Sequence, residues 1–135
     1  MPFITYPQLN GQVAVIIPTG DVQDCIKDVP AGVPYNIVES LNIDNDYFNA
    51  YEFHPEEGAV VNIEKAKALH LEKFRAARTP FLAALDIQFM KAVELDDSIK
   101  QAEIAADKAA LRDVTKVALP DTLPEIKQVW PTILS

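Results

Sequence analysis

At 135 residues and 49% hydrophobic content the chain is long enough to bury a core without staples, and its single cysteine, Cys25, excludes an intramolecular disulfide and points to a reducing compartment. The formal net charge of −8 sits in residues 1–61, where one base (Lys27) meets nine acids, whereas residues 62–118 hold ten bases and nine acids. An acidic surface of this kind repels phosphate, so nucleic acid is not an expected partner.

No apolar run approaches the roughly 20 residues that span a bilayer. Met1-Pro2-Phe3-Ile4-Thr5 lacks the basic and apolar regions of a secretory signal, so a soluble protein without a membrane partner is expected.

In chain order, residues 4–9 and 13–17 flank Asn10-Gly11, a strong hairpin signal because both types favour positive φ. Pro7 inside the first run suggests an edge strand. Pro18-Thr19-Gly20 ends the second run, and residues 21–27 read as a short helical turn capped by Asp21. Residues 29–34 (Val-Pro-Ala-Gly-Val-Pro) form a stiff loop, and residues 35–39 a third strand. Asp44-Asn45-Asp46 marks a turn before the aromatic group Tyr47, Phe48, Tyr51 and Phe53. The first segment, residues 1–58, is therefore expected to be a small acidic sheet of three or four strands, with His54-Pro55-Glu56-Glu57-Gly58 as its boundary.

Beyond that boundary the apolar period changes from two to about 3.6. Ile63, Ala66, His70, Phe74, Ala77, Phe81, Leu85, Phe89 and Ala92 recur at steps of three and four and share one helix face. Asn62 is placed to cap this helix, and Glu64 suits its first turn. Pro80 either kinks one long helix or starts a second behind Thr79; the unbroken apolar phase favours a kinked continuation. The short polar stretch Leu95-Asp96-Asp97-Ser98 leads into a helix over residues 99–115, whose alanines 102, 105, 106, 109 and 110 allow close approach to a neighbouring helix. So short a connection implies antiparallel packing. Residues 59–118 are thus read as a helical hairpin, too thin to bury both faces alone. Residues 119–135 form a proline-punctuated apolar tail holding Leu123, Ile126, Val129, Trp130, Ile133 and Leu134. The expected class is α+β: a small N-terminal β-sheet, an antiparallel helical hairpin and a Pro-rich tail.

Little in the sequence asks for catalysis. His54 and His70 occupy ordinary settings, and no HxxxH or CxxC spacing supports zinc. Cys25 reads as a small buried hydrophobe. Asp44-Asn45-Asp46 lacks the glycine and distal glutamate of a calcium loop, and four glycines make no phosphate cradle. No cofactor or metal is expected. Arg75 and Arg78 lie three apart on one helix, and Arg112 and Asp113 near the end of the next. They read either as exposed charges with a salt bridge inside the hairpin or as a polar clasp on a partner. Trp130 is either a plug for the domain's own core or an interface anchor.

Several of these stretches occur together in one known group. Phe74-Arg75-Ala76-Ala77-Arg78, Leu82-Ala83-Ala84-Leu85-Asp86, Lys108-Ala109-Ala110-Leu111-Arg112-Asp113-Val114, Pro124 and Trp130-Pro131 resemble the C-terminal region of the tail-fibre assembly proteins of tailed bacteriophages. Residues 29–38 and Phe48-Asn49-Ala50-Tyr51-Glu52 resemble the N-terminal part of small phage proteins that share this hairpin. The chain departs from the pattern at Asp86-Ile87, where many of the assembly proteins have Asp-Trp. The resemblance implies a non-enzymatic phage protein that contacts a structural subunit, above all a tail fibre, in the host cytoplasm during assembly or in the virion. The contact residues it implies are Arg75, Arg78, Leu111, Arg112, Asp113 and Trp130. A permanent virion component (capsid, neck or tail accessory protein) is the competing expectation, and self-association stays open. A phage enzyme would require a pocket holding an activated carboxylate or Cys25 facing a histidine.

Overall fold

The computed structural model describes residues 2–135; Met1 lies outside the described residues. It is an α+β protein in which antiparallel sheets precede two long helices packed as a hairpin. By compactness the chain divides into two units, the first ending at Ala66 and the second spanning Lys67–Ser135.

In the first unit, strands β1 (Phe3–Pro7), β2 (Val13–Ile16) and β3 (Asn36–Val38) form an antiparallel sheet in the order β2-β1-β3. β1 is therefore central, not the edge strand that Pro7 suggested. The register resolves the conflict: β3 pairs only with Phe3, Ile4 and Thr5, so the missing N–H of Pro7 falls beyond the end of that ladder. Ile4 and Thr5 point to opposite faces, and both are fully buried, so both faces of β1 are covered.

The expected hairpin at Asn10-Gly11 is present, with a different turn. Gly11 alone takes positive φ (84°), and its N–H donates to the Gln8 carbonyl at 3.0 Å. Asn10 contributes through its side chain, which accepts from the Gln12 N–H at 3.0 Å. Asp21 caps helix α1 (Val22–Cys25) by accepting from the Gln23 N–H, as expected.

Strands β4 (Tyr51–His54) and β5 (Gly58–Val61) make a second, two-stranded ladder. The stretch 54–58, read as a boundary, is the turn of this hairpin. His54 Nδ1 accepts from the N–H groups of Glu56 and Glu57 at 3.2 and 3.0 Å, which is a structural use of that imidazole. The change from strand to helix comes at Asn62, whose side chain accepts from the Lys65 N–H at 3.2 Å and caps helix α2 (Ile63–Glu94). The Gln12–Glu52 bridge and the Phe53 N–H to the Gly11 carbonyl join β4 to the start of β2.

Helix α2 continues through Pro80 as one element, in agreement with its unbroken apolar phase. Pro80 and Ala76 are exposed, so water can reach the carbonyl that the proline leaves without a donor. Helix α3 (Ser98–Asp113) returns antiparallel to α2. Lys108 forms an ion pair with Asp86 and stands over the Phe89 ring, and Gln101 Nε2 donates to the Ala92 carbonyl at 3.4 Å. The seam uses Gln101, Ile104, Lys108 and Leu111. Alanines 102, 105, 106, 109 and 110 face solvent instead.

The turn between the helices is a Schellman motif: the N–H of Asp97 reaches the Ala92 carbonyl at 2.9 Å and that of Asp96 the Val93 carbonyl at 3.1 Å. Asp96 stands where glycine is usual, at φ 53°, the one positive φ of a non-glycine among the described residues. Asp96→Gly is expected to raise stability by about 0.5–1 kcal/mol, the released strain being partly offset by a more flexible unfolded chain. A urea midpoint unchanged or lowered would contradict this.

The tail folds back on the hairpin of its own unit through helix α4 (Leu123–Gln128), which buries Leu123 and Ile126. Phe74, Leu111, Val114 and Leu134 form the buried cluster of this unit, with Leu71, Ala77, Leu82, Leu85 and Val129 packed around it. Among the described residues no helix is long and apolar enough to cross a membrane.

Candidate functional site

The hairpin and tail of the second unit carry all six residues singled out from the sequence. Leu111 is buried in the cluster and takes no part in the surface. Arg78 donates from Nη1 to the Arg112 carbonyl at 3.0 Å. That carbonyl lies in the last turn of α3, where main-chain acceptors lack helical partners and the helix dipole favours a cation. Arg78 thus braces the hairpin through a main-chain oxygen, not through the Asp113 carboxylate. Asp113 pairs instead with Lys116 at 3.0 Å, and Arg75 with Glu72 one turn earlier on α2. Both pairs are exposed and contribute little to stability. The Arg112 residue is exposed.

Trp130 packs against buried residues of its own unit and is only partly covered by them. Its ring meets Phe74 edge-on at 5.3 Å and His70 at 6.4 Å, yet 42% of the residue remains exposed. His70 is buried, and its Nε2 donates to the Val129 carbonyl at 2.7 Å, which requires the proton on that nitrogen. This bond and the Phe74 edge fix the orientation of the indole. Nearer the start of the tail, Lys67 holds Asp121 at 2.8 Å; the hydrogen bond and the ammonium charge push the Asp121 carboxyl below its ordinary range. Trp130 also lines an open groove of about 550 Å³, together with Ala110, Asp113, Val114, Val117, Val129 and Pro131. Of the six residues, Asp113 and Trp130 therefore share one surface, whereas Arg75 does not line that groove.

A second surface escaped the sequence reading. Ile87, Met90, Val93, Leu95 and Ile99 are 51–78% exposed, all within residues 87–99 around the α2–α3 turn. Isolated exposed apolar residues are ordinary; five large ones at one end of a hairpin are not. The signal was present in the phase: Ile87, Met90 and Val93 are spaced by threes and fall off the stripe that runs through Leu85, Phe89 and Ala92.

No protein-family model matches the chain, and no curated protein or solved structure matches it.

Proposed function

We propose that this chain is a non-enzymatic bacteriophage protein that binds a structural subunit of the particle, a tail fibre above all, and assists its assembly. The observation that supports this most is the apolar tip of the hairpin, where five large side chains stand in water. Leaving such a surface exposed on a free protein favours association, and burying what is still exposed against a partner returns roughly 1–2 kcal/mol for each side chain. The left-handed Asp96 holds the turn between these side chains, and strain of this kind tends to collect at working surfaces. The half-exposed Trp130 supplies a second anchor of the type that dominates interfaces. The likeness of the 74–86 and 108–114 stretches to tail-fibre assembly proteins is what favours a tail-fibre subunit as the partner.

The test is titration of the chain against a purified tail-fibre subunit of the same phage, beside the double variant Ile87→Ser, Met90→Ser. Both positions are exposed, so stability should change by no more than about 0.5 kcal/mol each, while affinity should fall by at least about tenfold. Equal binding by the variant, or no binding by the parent, removes the reading. Light scattering of the free chain covers the remaining occupant: a stable dimer dispersed by the same two substitutions would assign the tip to self-association. Mass spectrometry of purified particles then separates a transient assembly factor, absent from them, from a permanent component recovered in stoichiometric amount.

A further inference from the structure

The first unit carries an apolar groove of about 850 Å³, lined by Tyr6, Pro7, Leu9, Pro30, Val33 and Pro34. Both walls are fixed by their own hydrogen bonds. On one side, the β1–β2 turn is closed by the Gly11 N–H to the Gln8 carbonyl, and the Gln8 side chain donates to the Val13 carbonyl at 3.3 Å. On the other, the Val33 N–H donates to the Pro30 carbonyl at 3.2 Å across a turn whose third residue, Gly32, has φ 77°. That is the arrangement of a type II turn. Leu9 crowns the first wall and is fully exposed, so its side chain contributes nothing to the folded core. Rigid walls of proline, tyrosine and leucine lose little entropy when a ligand docks.

Composition selects the occupant. Residues 2–20 contain no charged side chain, so the wall from Tyr6 to Asn10 is neutral. The opposite wall follows directly on Asp21, Asp24 and Asp28, with Lys27 among them, and residues 1–61 hold nine acids against that one base. A neutral apolar slot in a strongly negative unit attracts a cationic ligand and repels an anionic one. Proline-rich segments dock in apolar grooves with an aromatic wall because their extended helix is already formed and their backbone is free of internal hydrogen bonds; here Tyr6 is the aromatic. The chain's own proline-rich tail does not meet these terms: it is seated in the second unit by Leu123, Ile126 and Leu134, and residues 119–135 carry Lys127 against Asp121 and Glu125. We infer that the groove between Tyr6 and Pro34 docks an extended, proline-containing segment of a protein partner, flanked by lysine or arginine. This site belongs to the first unit and the hairpin tip to the second, and neither reading depends on the other.

The experiment is fluorescence anisotropy of the full chain with two labelled peptides, each an alternating proline-leucine core, one flanked by paired arginines and the other by paired glutamates. Saturable binding of the arginine peptide is expected, weakened by added salt, with the glutamate peptide at least about tenfold weaker. Leu9→Ser should weaken the arginine peptide by about tenfold without altering the circular dichroism spectrum. Absence of saturable binding overturns the inference. So does equal affinity for the two peptides, or an unchanged affinity in Leu9→Ser.

Discussion

Gly58→Ala is expected to cost the first unit about 2–5 kcal/mol. Two separate penalties meet at this residue. Gly58 has φ 85°, a left-handed backbone that costs an L-residue about 1–2 kcal/mol. An added Cβ would also stand 3.1 Å from Val38 Cγ1, 3.2 Å from Thr5 Oγ1 and 3.3 Å from Leu41 Cδ2. Thr5 and Val38 lie on β1 and β3 and Leu41 in the loop that follows β3, and overpacking of this kind adds about 1–3 kcal/mol. Gly32→Ala is the matched control: its φ is 77°, but an added Cβ meets nothing within 4 Å, so only the backbone penalty applies. All four tyrosines, Tyr6, Tyr35, Tyr47 and Tyr51, lie in the first unit, so their near-ultraviolet signal reports its unfolding. Equal losses in the two variants would show that the close approach of β5 to β1 and β3 carries no energetic weight.

The same position shows where local sequence signals fell short. His54-Pro55-Glu56-Glu57-Gly58 has turn composition and so suggests a boundary, but turn composition alone does not distinguish a linker from a hairpin. What decides it is the pairing of Tyr51 with Val61 and Phe53 with Ala59, which is non-local. Pro7 misled for a related reason: the rule that proline avoids central strands holds for positions that must donate, and the short β3 leaves Pro7 outside its ladder. Helical features were more legible, since their signals are local. Asn62 as the cap of α2, Asp21 as the cap of α1 and the passage of α2 through Pro80 all follow from nearby residues.

On the candidate surface, residue chemistry was legible and exposure was not. The family resemblance implies contact roles for both Leu111 and Trp130, yet a seam position on α3 buries the first, while the second is only half covered. The alanines of α3 suggested a close helix–helix seam, but the bulkier Ile104 and Leu111 hold that place. A helical period shows which residues share a face; it does not show which of two apolar faces meets a neighbour.

Phe74→Ala is expected to cost the second unit about 3–5 kcal/mol, as truncation of a fully buried aromatic does. Phe74 has no exposed surface and belongs to the buried cluster with Leu111, Val114 and Leu134. Its ring also supplies the edge contacts to His70 at 4.8 Å and Trp130 at 5.3 Å. The loss should therefore appear twice in one signal, because Trp130 is the only tryptophan. Its emission in the folded protein should move to the red as the indole loses its buried neighbour, and its denaturation midpoint should fall. Phe81 makes the comparison sharp. It shares the helical face of Phe74, two turns along α2, but is 38% exposed. Phe81→Ala forfeits a partly wet contact and should cost distinctly less than Phe74→Ala, leaving Trp130 emission in place. If the two truncations cost the same, the tail does not close over Phe74, and the orientation of Trp130 has to come from the His70–Val129 hydrogen bond alone.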